Sequence, residues 1–192
     1  MIGHMERGTE LWLVRHGETA WSRDGRHTSV TDLPLLPDGE AAASALRDRL
    51  GAQAFDLVLS SPRRRARRTA ELAGYPDAVV DGDLAEWAYG VYEGLNAAQI
   101  RASVPDWTIW THGGLEGESV DAVGIRLDRF ISRVREHGGR VLCFSHGHVL
   151  RALAARWIDQ PVALGGSLAL DTASVSVLRS ETGEPLIVRW NG

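Results

Sequence analysis

Two short apolar runs in this chain end alike. Leu11-Trp12-Leu13-Val14 runs into Arg15-His16-Gly17, and Val141-Leu142-Cys143-Phe144 runs into Ser145-His146-Gly147. Four apolar residues stopped by a glycine-bearing turn read as a buried strand that ends in a loop. In an α/β sheet, ligands bind beyond the carboxyl ends of the strands. His16 and His146 each occupy that position, so both are expected to project into one strand-end crevice.

The rest of the pattern alternates helix and strand. Asp38 is expected to cap a helix carrying Ala42, Ala45, Leu46 and Leu50, with Glu40 in its first turn. Phe55–Leu59 reads as a second strand, followed by a helix with Ser61 as cap, Pro62 at its first position and Gly74 as its stop. Ala78–Val80 is a short third strand. Ser119 caps a long amphipathic helix with Val120, Val123, Leu127, Phe130, Ile131 and Val134 on one stripe, ended by Gly138-Gly139. A helix over about 148–158, a glycine-containing loop and two strands at 174–178 and 186–190, joined by a turn at Gly183, close the chain. Residues 22–37 read as loop, and 84–117, rich in Trp, Tyr and Gly, as an irregular lobe with one or two short helices. This alternation predicts an α/β fold: a mainly parallel central sheet with helices on both faces, in three layers α/β/α. With 192 residues, 44% of them hydrophobic, the chain is expected to form one domain over 1–192 with the lobe lying over the sheet.

Composition removes several chemistries. All 21 basic side chains are arginine. Without lysine there is no Walker-A phosphate loop, no Schiff base and no pyridoxal-phosphate site. The single cysteine, Cys143, can form neither an internal disulfide nor a cysteine zinc site, and its apolar neighbours predict a small buried hydrophobe. The net charge of −4 gives no global attraction to nucleic acid or anionic membrane. Residues 1–10 are polar, and no apolar run approaches the ~20 residues of a membrane span. The expected setting is cytoplasmic, with neither nucleic acid nor membrane as a partner.

Of the seven histidines, His16, His112, His137 and His146 precede glycine. His137 lies at a helix end, where the dipole accounts for it, and His112 lies in the irregular lobe. His146-x-His148 has the spacing of a metal pair, but His148 starts the next helix and is expected to point elsewhere, and nearby guanidinium groups repel a cation. Arginine forks suit an anion, phosphate above all. The local chemistry therefore predicts a phosphate pocket made from Arg15, His16, His146 and an arginine after the second strand, with no metal and no cofactor.

At these residues the chain resembles the histidine phosphatases, the phosphoglycerate mutase-like superfamily. Arg15-His16-Gly17-Glu18-Thr19 resembles its signature. Arg26-His27-Thr28 with Thr31–Leu35 resembles its substrate loop, Ser60-Ser61-Pro62 with Arg65-Ala66 and Thr69 its second arginine motif, Leu84-Ala85-Glu86 with Tyr89-Gly90 and Tyr92-Glu93-Gly94 its acid-bearing segment, and Ser145-His146-Gly147 its second histidine motif. The five occur in family order over about 11–178. The resemblance implies a three-layer fold of that family and a phosphohistidine formed on His16. It implies phosphoryl contacts from Arg15, Arg65 and His146, the last as a third cation when protonated, and proton transfer by Glu86, with Glu93 the alternative. Ser22, Thr28 and Gly147 complete the substrate-binding set. Arg65 is preferred to Arg63, Arg64, Arg67 and Arg68, which read as a solvated helix face rather than a nucleic-acid patch.

In this role His16 must be neutral, with its other ring nitrogen donating to a backbone carbonyl. Glu86 must start protonated, and desolvation by Trp87, Tyr89 and Tyr92 is expected to favour this, giving a bell-shaped profile with an acidic to near-neutral optimum. The residue after Gly94-Leu95-Asn96 is Ala97 where the mutases have lysine, and the lobe from 95 to 117 carries one arginine, Arg101. The chain is therefore read as a phosphatase of the small acid-phosphatase and sugar-bisphosphatase branch, acting on a small phosphate ester, with a sugar phosphate the favoured class. A cofactor-dependent mutase and a non-catalytic phospho-ligand sensor are the alternatives. Ser22 and Ser29 depart from the family pattern, and Ser29 is expected to narrow the pocket. Trp107 and Trp110, three apart, are read as buried in preference to forming a substrate wall. The strand and tryptophan content is compatible with a homodimer.

Overall fold

The computed structural model describes residues 8–181 and 183–192. The polar segment at 1–7 lies outside them. Six strands form one sheet: β1 (Thr9–Arg15), β2 (Leu57–Ser60), β3 (Val79–Val80), β4 (Gly139–Ser145), β5 (Val175–Glu181) and β6 (Glu184–Arg189). Their order is β3-β2-β4-β1-β5-β6. The first four in that order run parallel, and β5 pairs antiparallel with β1 on one side and β6 on the other. The two strands that carry the histidine motifs are therefore neighbours, paired from Thr9 with Gly139 to Arg15 with Ser145.

Strand alternation divides the core. Leu11, Leu13, Val141 and Cys143 face one way, against α6 (Val120–His137) and α7 (Gly147–Trp157) through Leu127, Phe130, Val149 and Leu153. Val14, Leu142 and Phe144 face the other way, toward Leu46 and Leu50 of α2 (Pro37–Leu50) and Ala70 of α3 (Arg64–Leu72). These are the expected three layers. Cys143 is fully buried, and burial pushes its thiol pKa well above the ordinary value. No helix among the described residues is long and apolar enough to cross a membrane.

The helix starts differ from the sequence expectation. Leu36 occupies the N-cap of α2 and Pro37 follows, so Asp38 sits in the first turn instead of capping it, and Glu40 lies in that turn as expected. Proline's fixed φ and missing N–H suit that first position. α3 starts at Arg64 with Arg63 at its N-cap, and Ser61 does not cap it. The side chain that serves its amino end comes from the loop before α2, where Asp32 accepts the Arg64 N–H at 2.8 Å. The expected loop at 22–37 begins within a one-turn helix, α1 (Ala20–Arg23), closed by a reciprocal Thr19–Ser22 capping box. The lobe holds two short helices, α4 (Ala97–Arg101) and α5 (Ile109–His112), and a 3-10 turn over Gly90–Tyr92. As expected, Ser119 caps α6, and Gly138, with φ 66°, ends it.

Candidate active site

Both histidine loops leave the carboxyl edge of the sheet in register. The His16 N–H donates to the Ser145 carbonyl at 2.9 Å, extending the β1–β4 ladder beyond the strands. Gly17 then passes so close to α2 that a Cβ there would lie 2.4 Å from the Gly39 carbonyl oxygen. Its N–H donates to Thr69 Oγ1 at 3.0 Å, and that hydroxyl donates to the Arg65 carbonyl at 2.8 Å. The loop is thus pinned between α2 and α3.

His16 is 5% exposed, and its ring lies 5.1 Å from that of His146. Its Nδ1 is 2.7 Å from the Gly17 carbonyl, which can only accept, so Nδ1 carries the proton and Nε2 presents a lone pair. Burial first, then the Arg65 and Arg15 charges, hold the His16 pKa well below the ordinary imidazole value. His146 is lowered well below that value for the same first reason, reinforced by Arg65. Its Nδ1 accepts from Arg65 Nε at 3.1 Å, which places its proton on Nε2, 2.7 Å from Ser61 Oγ. His146 is accordingly a neutral donor, where the sequence reading made it a third cation when protonated.

Arg65 has no exposed surface. Besides His146 it donates to the carbonyls of Thr31 (3.1 Å), Thr28 (2.8 Å) and Ser29 (3.4 Å). These bonds use four of its five N–H groups. The neighbouring arginines diverge as a helix demands: Arg64 and Arg67 are exposed, and Arg68 pairs with Glu40 and Glu71. The 26–31 loop is held from its other side by Glu93, whose carboxylate accepts the N–H groups of Ser29 and Thr31 at 2.9–3.0 Å. Glu93, the alternative acid, is thereby a loop clamp. Ser29 does not narrow the pocket: it is buried, and its hydroxyl donates to the Glu86 carbonyl at 3.1 Å.

Glu86 lies at the amino end of α7. Its carboxylate accepts three backbone N–H bonds, from Trp87 at 2.9 Å, His148 at 3.0 Å and Val149 at 2.8 Å. The aromatic shell expected around it is only partly there. Tyr89 shares its pocket, but Trp87 packs edge-on against Trp110, and Tyr92 against Trp107. The Glu86 segment is held from behind by Arg126, which donates to the Asp83 and Ala85 carbonyls and pairs with Glu118, itself an acceptor for the Ala88 N–H.

These elements enclose a cavity of about 140 Å³ lined by Arg15, His16, Ser22, Thr28, Glu86 and Gly147 of the predicted set. Arg65 and His146, both fully buried, are not part of its surface. Arg15 donates to the Leu170 carbonyl, while its buried Nε has no partner among the described residues. Gly147, the first residue of α7, lies beside that guanidinium, and a Cβ there would stand 3.4 Å from it, at ordinary contact distance.

An arginine whose Nε has no partner among the described residues and an imidazole with its proton held on Nδ1 line one small cavity at a helix amino end, a set of groups suited to an anion. The sequence pattern of the histidine phosphatase superfamily (branch 1) matches residues 11–192. This chain belongs to that superfamily. It is 46% identical over 181 residues to an acid phosphatase of Mycobacterium tuberculosis, covering 92% of this chain and 89% of the relative. It is 39% identical over 178 residues to the sedoheptulose 1,7-bisphosphatase of Saccharomyces cerevisiae, covering 76% and 66%. A solved structure of a mycobacterial glucosyl-3-phosphoglycerate phosphatase in complex with VO3 superposes with a TM-score of 0.85 at 28% identity, covering 96% of this chain and 99% of that one.

This histidine phosphatase also has pocket residues that sequence reasoning missed. His27 and Arg26 stood inside a quoted motif without a role, and both line the cavity. His148 was expected to point away, yet it lines the cavity too, because the α7 amino end turns toward Glu86. Arg151 does so one turn later. The i+3 spacing from His148 to Arg151 was the available signal. Trp107 is buried as expected, and neither it nor Trp110 lines the cavity.

Proposed function

We propose that this phosphatase hydrolyses small phosphate monoesters, sugar phosphates among them, through a phosphohistidine on His16. The observation that carries the reading is the His16 ring: its Nδ1 proton is tied to the Gly17 carbonyl, which leaves the lone pair on Nε2, and the residue lines a pocket with Arg15, whose Nε has no partner among the described residues. Nε2 attacks phosphorus in line, the P–O bond to the leaving alcohol breaks, and the P–N bond forms. Water then attacks the phosphohistidine, releasing phosphate and returning the lone pair to Nε2.

Charge on the transferring group is the main burden of such a reaction, and fixed positive groups relieve it. Arg15 meets the phosphoryl oxygens directly. Arg65 retains one N–H for them while its other bonds hold the 26–31 loop. His146 redirects its Nε2–H hydrogen bond from Ser61 to a phosphoryl oxygen and keeps its proton. Ser22, Thr28 and the Gly147 N–H at the start of α7 complete the cradle. Glu86 delivers a proton to the leaving oxygen and takes one from the attacking water.

The test is phosphate release from a panel of sugar and other phosphate esters with chelator present, using the wild type and His16→Ala. Chelator-resistant hydrolysis that disappears in the variant is the expected result. Hydrolysis retained in the variant overturns the assignment.

A further inference from the structure

Two imidazoles in the pocket are left without a part in this chemistry. His27, from the loop before α2, and His148, the second residue of α7, both line the cavity, with ring planes 11° from parallel and centroids 5.5 Å apart. Neither is free to choose its tautomer. His27 Nδ1 lies 2.8 Å from the Leu95 carbonyl, so Nδ1 carries the hydrogen and Nε2 keeps a lone pair. His148 Nδ1 lies 2.6 Å from the Tyr89 hydroxyl, which has no other hydrogen-bond partner among the described residues. The phenol proton therefore goes to Nδ1, and the His148 hydrogen sits on Nε2.

The surroundings keep this arrangement in place. Tyr89 and Trp107 stand edge-on to the His27 ring at 4.8 and 5.2 Å, and Trp110 packs on His148 at 5.3 Å. Burial lowers the pKa of both imidazoles and pushes the Tyr89 phenol well up, so each ring stays neutral and the phenol keeps its proton. Among the described residues nothing pairs with Nε2 of either ring.

We propose that His148 and His27 form a donor–acceptor pair that reads hydroxyl groups on the leaving alcohol, which makes phosphate esters of polyols and sugars the preferred substrates over aryl or simple alkyl esters. The His148 Nε2–H donates to one hydroxyl oxygen, and His27 Nε2 accepts a hydroxyl proton. The pair stands where a leaving group must lie, because the His148 backbone N–H is one of the three that hold Glu86. Two neighbouring hydroxyls satisfy both nitrogens. An apolar leaving group satisfies neither and leaves both polar nitrogens unpaired when it displaces water. The inference rests on the phosphatase reading of the same site and assigns its leaving-group specificity.

The experiment compares kcat/KM for glycerol phosphate and hexose phosphates with that for phenyl phosphate. It uses the wild type, His148→Phe, His27→Phe and Tyr89→Phe, the last removing only the hydroxyl that sets the tautomer. The polyol-to-phenyl ratio is expected to fall ~10–100-fold in either histidine variant and by a smaller factor in Tyr89→Phe. An unchanged ratio overturns the proposal. A readout that needs no variant and no turnover is the 15N spectrum of the imidazoles, with the proton expected on Nε2 of His148 and on Nδ1 of His27. The opposite tautomers overturn the proposal even if the variants do not fold. Failure of the underlying reading looks different: His16-dependent hydrolysis is then missing for every ester, phenyl phosphate included, and the leaving-group assignment falls with it.

Discussion

The strand-end loops and the 84–117 lobe deliver side chains to the same cavity, but different forces hold them. His16 and His146 follow directly from paired strands, and their positions come from the sheet ladder, the Gly17–Gly39 close approach and Thr69. Glu86, by contrast, lies between short turns and is held by polar cross-links: Arg126 to the carbonyls of Asp83 and Ala85, Glu118 to the Ala88 N–H, and the α7 amino end to its carboxylate. The 26–31 loop is likewise suspended between Arg65 and Glu93. The place of His16 is set by the fold, whereas the places of Glu86 and the 26–31 loop are set by a few buried polar bonds. Changes on the first side should remove chemistry with little change of shape. Changes on the second should alter both.

The largest expected effect is on the strand-end side. His16→Ala should lower kcat/KM by at least ~10⁴-fold with its cooperative unfolding transition retained, measured by steady-state kinetics and denaturant melts. Next is Glu86→Gln, which keeps the shape of the side chain but cannot deliver a proton. It should lower kcat by ~10²–10⁴-fold, whereas Glu93→Gln should act mainly through KM, by ~10-fold, because one amide oxygen still accepts from the loop. If Glu93→Gln costs more in kcat than Glu86→Gln, the two roles are reversed. Arg65→Met links the two regions. It strips three loop carbonyls, of Thr28, Ser29 and Thr31, of their donor and should cost about 3 kcal/mol of unfolding free energy together with activity.

The smallest effect per group is on stability against pH. Burial lowers the folded pKa of His16, His27, His146 and His148. The unfolded chain therefore binds more protons once the pH falls below the ordinary imidazole value. Stability should be full above about pH 7 and should fall with decreasing pH by up to about 1.4 kcal/mol per unit for each of these groups, until the folded values are reached. Denaturant melts from pH 8 to 5 measure the slope. A slope near zero would mean that these rings are not held neutral. The same lowering keeps His16 competent in mild acid, so the acid limb of kcat/KM should lie below the ordinary histidine range.

How much of this was legible in the sequence follows the same division. The short strands, the Ser119-capped helix and the strand-end histidines could all be read, because each depends on local periodicity and a turn residue, whereas the pairing of β1 with β4 joins distant segments and could not. The helix starts at Pro37 and Arg64 could not, since Asp32 serves the α3 amino end from a distant loop. Arg65 was separable from its neighbours through family resemblance, but its grip on three loop carbonyls was not visible. His148 was read as pointing away because spacing along a chain does not say which way a helix amino end faces. The charge of His146 was missed for a related reason: only the assembled site brings Arg65 Nε to its Nδ1.

The central claim is covalent attachment of the phosphoryl group to His16, and rapid-quench trapping tests it most directly. Wild-type protein is mixed with a phosphate ester, quenched within milliseconds in base and analysed by peptide mass spectrometry. The account predicts one acid-labile, base-stable phosphoryl group on the peptide containing His16, absent from His16→Ala and accumulating in Glu86→Gln if its hydrolysis becomes the slower step. A phosphoryl group on another residue, or turnover in the wild type with no phosphorylated intermediate on the fast timescale, would contradict it.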